Sequence, residues 1–215
     1  MEETQQLKQI AAYAQEVLEK DASGHSMDHI ERVVKMARRL AASEACDHFL
    51  VVASAYLHDV IDDKLVSDVA VARLELQAFL LSIGVDSGQV QTIFYIIDHV
   101  SFSASIGKEP EELTIEAQIV QDADRLDAVG AMGIGRTFYY GGHTGHRIYD
   151  PAIPPRQLKN KAEYRVNETV INHFYEKLLL LPDKMHTPLA RQIGQERQQV
   201  MEVFLAAFMK EWQGE

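Results

Sequence analysis

Apolar side chains recur at three- and four-residue spacing along nearly all of the 215 residues, and no Asn-Gly or Asp-Gly turn joins two alternating runs. That period places them on one stripe of an α-helix, whereas a half-buried strand needs strict alternation. The pattern therefore predicts an all-α fold. A first helix is expected over Thr4 to Lys20, ending before the turn residues Asp21, Ala22, Ser23 and Gly24. Ser26 or Asp28 can cap a second helix to about Ala45, Asp47 opens a third ending near Asp63, and Ser67 or Asp68 caps a fourth that stops at Gly84. A fifth, capped by Asp86 or Ser87, runs to about Val100. Gly107 and Pro110 mark Ser101 to Leu113 as a loop, after which Thr114 caps a helix containing Asp124. Gly130, Gly133 and Gly135 weaken the segment that follows. Gly141 to Arg156 is the longest expected loop and a candidate lid, and helices over Asn160 to Leu180 and Pro188 to Trp212 close the chain, the last capped by Thr187. No repeat or linker divides the sequence. It is expected to form a single domain with a core at about 23–150, on which C-terminal helices 160–212 pack.

Composition narrows the class of partner. The 21 Lys and Arg against 32 Asp and Glu leave a net charge of −11, which disfavours long nucleic acids, whose binding rests on neutralising many phosphates. Small anionic substrates remain open if a local cation receives them. The single cysteine, Cys46, forbids an intramolecular disulfide and a thiolate zinc cluster and fits a reducing compartment. The start MEETQQLKQI has no basic, then apolar, signal pattern, and the Phe49 to Leu57 apolar run is far short of the ~20 residues that cross a bilayer. A cytoplasmic protein without membrane spans is expected. Neither a Gly-x-Ser-x-Gly elbow nor a Walker loop is present.

Ionisable groups interrupt three inward-facing stripes. His29 shares one with Val33, Met36 and Leu40; His58 and Asp62 share one with Val51 and Ala55; Asp124 shares one with Ala117, Val120 and Ala128. Burying an unpaired carboxylate costs several kcal/mol, and a divalent ion would remove that cost. Imidazoles with carboxylates, Asp59 included, form a mixed nitrogen and oxygen set suited to Mn, Ni, Co, Fe, Zn or Mg, with open positions for water or substrate. Asp122 and Asp127 compete with Asp124, though Asp122 falls on another helix face and Asp127 suits an outer position. His25, between Gly24 and Ser26, reads as a turn residue. His143 and His146, in GGHTGHR, read as surface or lid residues, and Phe138, Tyr139 and Tyr140 as core or loop anchors.

His29, then HDVIDDK from His58 to Lys64, then QDADRLDAVGAMGIG around Asp124 resembles the HD-domain phosphohydrolase superfamily. The likeness extends over roughly Ser23 to Asp150. It is nearer still to small bacterial HD hydrolases that share DADRLDA-G and a following Tyr-Gly-Gly loop. The resemblance implies an HD-domain helical bundle with additional C-terminal helices. It implies a divalent metal held by His29, His58, Asp59 and Asp124, and hydrolysis of phosphate esters or anhydrides, frequently in small nucleotides. Asp62 and Asp63 follow the dipeptide where HD enzymes that hydrolyse (p)ppGpp carry an acidic pair, with Asp-Asp here in place of Glu-Asp. They are the candidate catalytic residues, Asp62 acting on the attacking water and Asp63 supporting it; the alternative is that both simply end the helix. By the same analogy a nucleoside triphosphate is expected to yield monophosphate and pyrophosphate. (p)ppGpp hydrolysis, phosphomonoester or cyclic phosphodiester cleavage, a structural metal site and a non-catalytic nucleotide sensor are the rivals.

Candidate substrate ligands are Lys64, beside the acidic pair, and His99, at the end of an apolar helix. Lys161 and Arg165 join them, from a local basic cluster that also holds Arg156 and Lys159. Each has a plainer role: an offset to Asp63, a dipole-stabilised helix terminus, a solvated helix face. Arg125 reads equally as an ion-pair partner.

Overall fold

Carboxylates and hydroxyls ahead of the apolar runs start the helices of the computed structural model, which describes residues 2–19, 26–63, 65–66, 68–101, 112–160, 163, 166 and 169–215. Asp47 accepts from the Leu50 amide at 3.1 Å to start α3 (His48–Leu57), and Asp68 from those of Ala70 and Val71 at 2.9 and 3.1 Å to start α4 (Val69–Ser82). Asp86 forms a reciprocal capping box with Gln89 ahead of α5 (Ser87–Val100). Thr114 accepts from the Ala117 amide at 3.3 Å where α6 (Ile115–Asp127) begins. Ser26 and Glu2 precede α2 (Met27–Ala41) and α1 (Glu3–Leu18). The regular elements among the described residues are all helical, and none of these helices is long and apolar enough to cross a membrane.

The chain divides into two compact units, 1–123 and 124–215. In the first, α3 is apolar around its circumference and packs against α1, α2 and α5. Ile10, Ile30, Leu40, Leu57, Ile93 and Ile96 are fully enclosed there. The second unit contains α7 (Gly130–Thr144), α8 (Val170–Glu176), short 3₁₀ turns at Leu178–Leu180 and Pro182–Lys184, and α9 (Pro188–Trp212). There α9 packs on α7 and the second turn, and Phe138 contacts Phe204 and Phe174 edge-on or tilted at 5.8 and 6.4 Å. Phe138 is thus an anchor as expected, whereas Tyr139 is 59 % exposed.

Three local expectations are corrected. The third helix stops at Leu57 rather than near Asp63, because the Val60 and Asp62 amides bond to the carbonyls of Leu57 and Asp59, both at 3.1 Å, tightening the chain into i to i−3 turns. Gly141 to Thr144 belong to α7, which ends at Gly145 with φ 73°. The glycines of α7 answer close approach: an added Cβ would lie 2.3 Å from the Ala128 carbonyl oxygen at Gly133 and 2.4 Å from Val170 Cγ2 at Gly141. Finally, among the described residues the helix expected over Asn160 to Leu180 is interrupted at Thr169. Thr169 is extended, and the Val170 and Ile171 amides bond across to the carbonyls of Arg147 and Ile148, each at 3.0 Å. The expected lid segment is correspondingly pinned. The Arg156 guanidinium grips Glu176, whose side chain is 4 % exposed, at 2.9 and 3.0 Å, and Asn172 Nδ2 donates to the Ile153 carbonyl at 3.0 Å.

Candidate metal centre

His29 lies in the first turn of α2, on the face that also buries Ile30, Val33 and Val34. His58 is the residue that caps the C-terminal end of α3, and Asp59 opens the turn beyond it. On a continued α-helix, adjacent residues would point about 100° apart. The His58 imidazole and the Asp59 carboxylate nevertheless reach each other at the helix end.

There Asp59 Oδ2 is 3.5 Å from His29 Nε2 and 3.6 Å from His58 Nε2. One ligand atom from each of the three residues falls within 4.8 Å of the others. The imidazole planes meet edge-on, 72° apart with centroids 5.3 Å apart. All three groups are buried, with 1, 7 and 8 % of their surface exposed. The separations exceed ordinary hydrogen-bond lengths and match the roughly 3.4 Å edge of a tetrahedron with metal–ligand bonds of about 2.1 Å. His58 Nδ1 lies 2.9 Å from the Ala55 carbonyl oxygen. That carbonyl can only accept, so Nδ1 carries the proton and Nε2 presents its lone pair inward, which is the arrangement that orients a ligating histidine. The donor set fits a divalent ion with mixed nitrogen and oxygen preference.

Asp124 is half-buried on α6 and is the first residue of the second unit. Its neighbours differ from expectation in depth. Asp122 is fully buried although helical spacing put it on another face, and Asp127, 5 % exposed, pairs with Arg136 at 2.8 Å. Asp62 is half-buried in the turn after Asp59, its carbonyl accepting the amides of Leu65 and Val66, and Asp63 is exposed. His99, half-buried, donates through Nδ1 to the Tyr95 carbonyl at 2.6 Å and lies against the Tyr95 ring, tilted by 36° with centroids 4.4 Å apart. Gln121 Nε2 bonds its main-chain oxygen at 2.5 Å. Lys64, Lys161, Arg165 and His25 lie outside the described residues. Of their basic neighbours, Arg156 is committed to Glu176, while Lys159 is exposed. His143 is exposed, and burial holds the His146 imidazole below its ordinary range.

One contributor to this centre had no signal in the sequence: the Ala55 carbonyl fixes the His58 tautomer through a main-chain atom.

Comparison with known proteins places the chain in a family. Residues 27–129 match the HD domain family model. A crystal structure from Lactobacillus plantarum superposes with a TM-score of 0.89 at 46% identity, covering 98% of each chain. An HD-superfamily hydrolase from Bacillus thuringiensis gives a TM-score of 0.78 at 38% identity over 100% of both chains. YpgQ of Bacillus subtilis is 35% identical over 216 residues, covering 100% of this chain and 97% of YpgQ. Its crystal structure in complex with ADP superposes with a TM-score of 0.76, covering 95% of this chain and 97% of that one. With its buried pair of histidines joined by the aspartate of the His-Asp dipeptide, this chain belongs to the HD superfamily of hydrolases.

Proposed function

We propose that the protein is a metal-dependent phosphohydrolase of small nucleotides, converting a nucleoside triphosphate to monophosphate and pyrophosphate in the cytoplasm. The observation that carries the metal reading is the buried convergence of His29, His58 and Asp59, with the His58 lone pair aimed at Asp59 by the Ala55 carbonyl. Asp124 is proposed as the fourth ligand on its place in the sequence motif. The nucleotide reading is supported by YpgQ, which was crystallised with ADP.

The bound ion supplies Lewis acidity and a local positive charge. Asp62, held in the turn directly after Asp59, takes a proton from the attacking water. Asp63 supports that transfer. The water oxygen bonds to the α-phosphorus, the bond from that phosphorus to the bridging oxygen breaks, and pyrophosphate leaves with the electron pair. Lys64, His99, Lys161 and Arg165 are the proposed contacts for substrate, screening charge that develops on the phosphates.

Hydrolysis in ¹⁸O water tests the bond cleaved: label is expected in the monophosphate alone. Orthophosphate release, or turnover confined to monophosphates, overturns the triphosphate reading. Asp62→Asn should keep its metal and lose about 10² to 10⁴ in turnover; unchanged turnover removes Asp62 from the reaction. Elemental analysis of Asp59→Ala and His58→Ala should show the metal gone. Nucleotide binding without turnover of any substrate would make the protein a sensor.

A further inference from the structure

The long helix α9 turns one face inward through Gly194, Met201 and Leu205. At about 100° per residue, the opposite face is centred on Val203, with Glu196, Val200, Ala206, Ala207 and Lys210 within about 60° of it. All of these side chains are exposed. Val203, at 71 %, is the most exposed large apolar residue among those described, and Val200 stands beside it at 46 %. A helix face turned to water ordinarily carries charged and polar residues, often paired one turn apart, as Arg32 and Asp28 are on α2. The middle of this face is aliphatic instead, and its charges stand at the two ends.

Those end charges are opposite in sign and equally far from the centre: Glu196 lies seven residues before Val203 and Lys210 seven residues after it. Among the described residues neither has a counter-ion; the Glu196 carboxylate accepts from Gln192 Nε2 at 3.2 Å. The face is therefore complementary to itself under a two-fold rotation, as a closed contact between identical chains requires. Two such helices laid antiparallel about an axis at Val203 bring each Glu196 to the Lys210 of the other copy and pack the valines between them. A parallel pair would set Glu196 against Glu196 and Lys210 against Lys210, which like-charge repulsion disfavours. Copies of a chain with net charge −11 repel one another in general, so a contact between them is most favourable on a patch whose own charges cancel.

We infer that this face of α9 is the interface of a homodimer, in which the helix pairs antiparallel with α9 of a second copy and Glu196 and Lys210 form two reciprocal ion pairs. The seam from Glu196 to Lys210 is about 21 Å long. One helix pair lies at the low end of interface sizes, so a Kd of about 1–100 µM is expected. The inference is independent of the reaction proposed above. Val203 is the residue to change first, because its exposure separates an effect on association from one on folding.

Sedimentation equilibrium of the full chain, from low to several hundred micromolar, should show monomer and dimer in exchange. Val203→Glu should weaken association by about tenfold or more, since it would bury two carboxylates at the axis, and the monomer should melt where wild-type monomer does. Glu196→Lys and Lys210→Glu should each weaken the dimer by about three- to tenfold, and the variant carrying both exchanges should return to wild-type affinity. Net charge alone predicts a different order, because Glu196→Lys makes the chain less acidic and would then tighten association. A chain that stays monomeric throughout overturns the inference. So does a dimer indifferent to Val203→Glu, which would place the contact on another surface, such as the exposed side of α4 at Leu74. Tighter association of Glu196→Lys, or a double variant as weak as the single ones, overturns the antiparallel pairing and the inference with it.

Discussion

At the scale of residues, His58 and Asp59 show how a dipeptide becomes two buried donors facing one another. The pair was visible in the sequence as a motif, but adjacent helical residues point about 100° apart, so their meeting beside His29 depends on side-chain reach that spacing does not report. Cys46, the single thiol, answers to its surroundings in another way: burial first, then the carboxylates of Glu116, Asp47 and Glu44, push its pKa up. Because the thiolate is the nucleophile, alkylation by iodoacetamide should be slow at neutral pH and rise at a pH above that of a free thiol peptide measured alongside. A rate profile at or below the peptide's would show that the enclosure is absent in solution.

At the scale of elements, α7 separates two uses of glycine. Gly133 has no room for a Cβ beside the Ala128 carbonyl, whereas nothing lies within 4 Å of one at Gly135. Gly133→Ala should therefore lose about 3 kcal/mol by overpacking, and Gly135→Ala should gain about 0.5–1 kcal/mol from reduced backbone freedom. Urea denaturation of the two variants measures both, and equal effects would refute the packing argument. Capping gives a second case. Asp86 is exposed and accepts from Gly88 and Gln89, so Asp86→Ala removes a cap with little else, and a loss of about 1 kcal/mol is expected, read as a fall of about 2–4 °C in melting temperature for a chain of this size. The positions of these caps were legible because capping is local chemistry. The break at Thr169 was not, since its cause is pairing with Arg147, more than twenty residues earlier.

For the whole molecule, the proposed metal would link the site to stability. An ion that binds only the folded chain adds about 2.7 kcal/mol at a hundredfold excess over Kd. Chelation should then lower the melting temperature of wild type by about 5–10 °C and leave that of metal-free Asp59→Ala unmoved. A chelator shift in that variant would relocate the metal. Burial of Asp59, His29 and His58, polar groups that a bound ion would hold, motivates this prediction.

Periodicity, caps and the His…His-Asp…Asp order determined the all-α class, most helix starts and the candidate ligands, since each depends on residues within a turn or two or on a family pattern. Tertiary structure alone decided where α3 ends, that His58 is held by the Ala55 carbonyl, and that Arg156 is a clamp on Glu176. It also decided that Lys184 and His186 meet Arg125. Those outcomes turn on main-chain atoms, which carry no sequence identity, and on contacts between distant segments, which burial in the folded chain selects and local propensity does not.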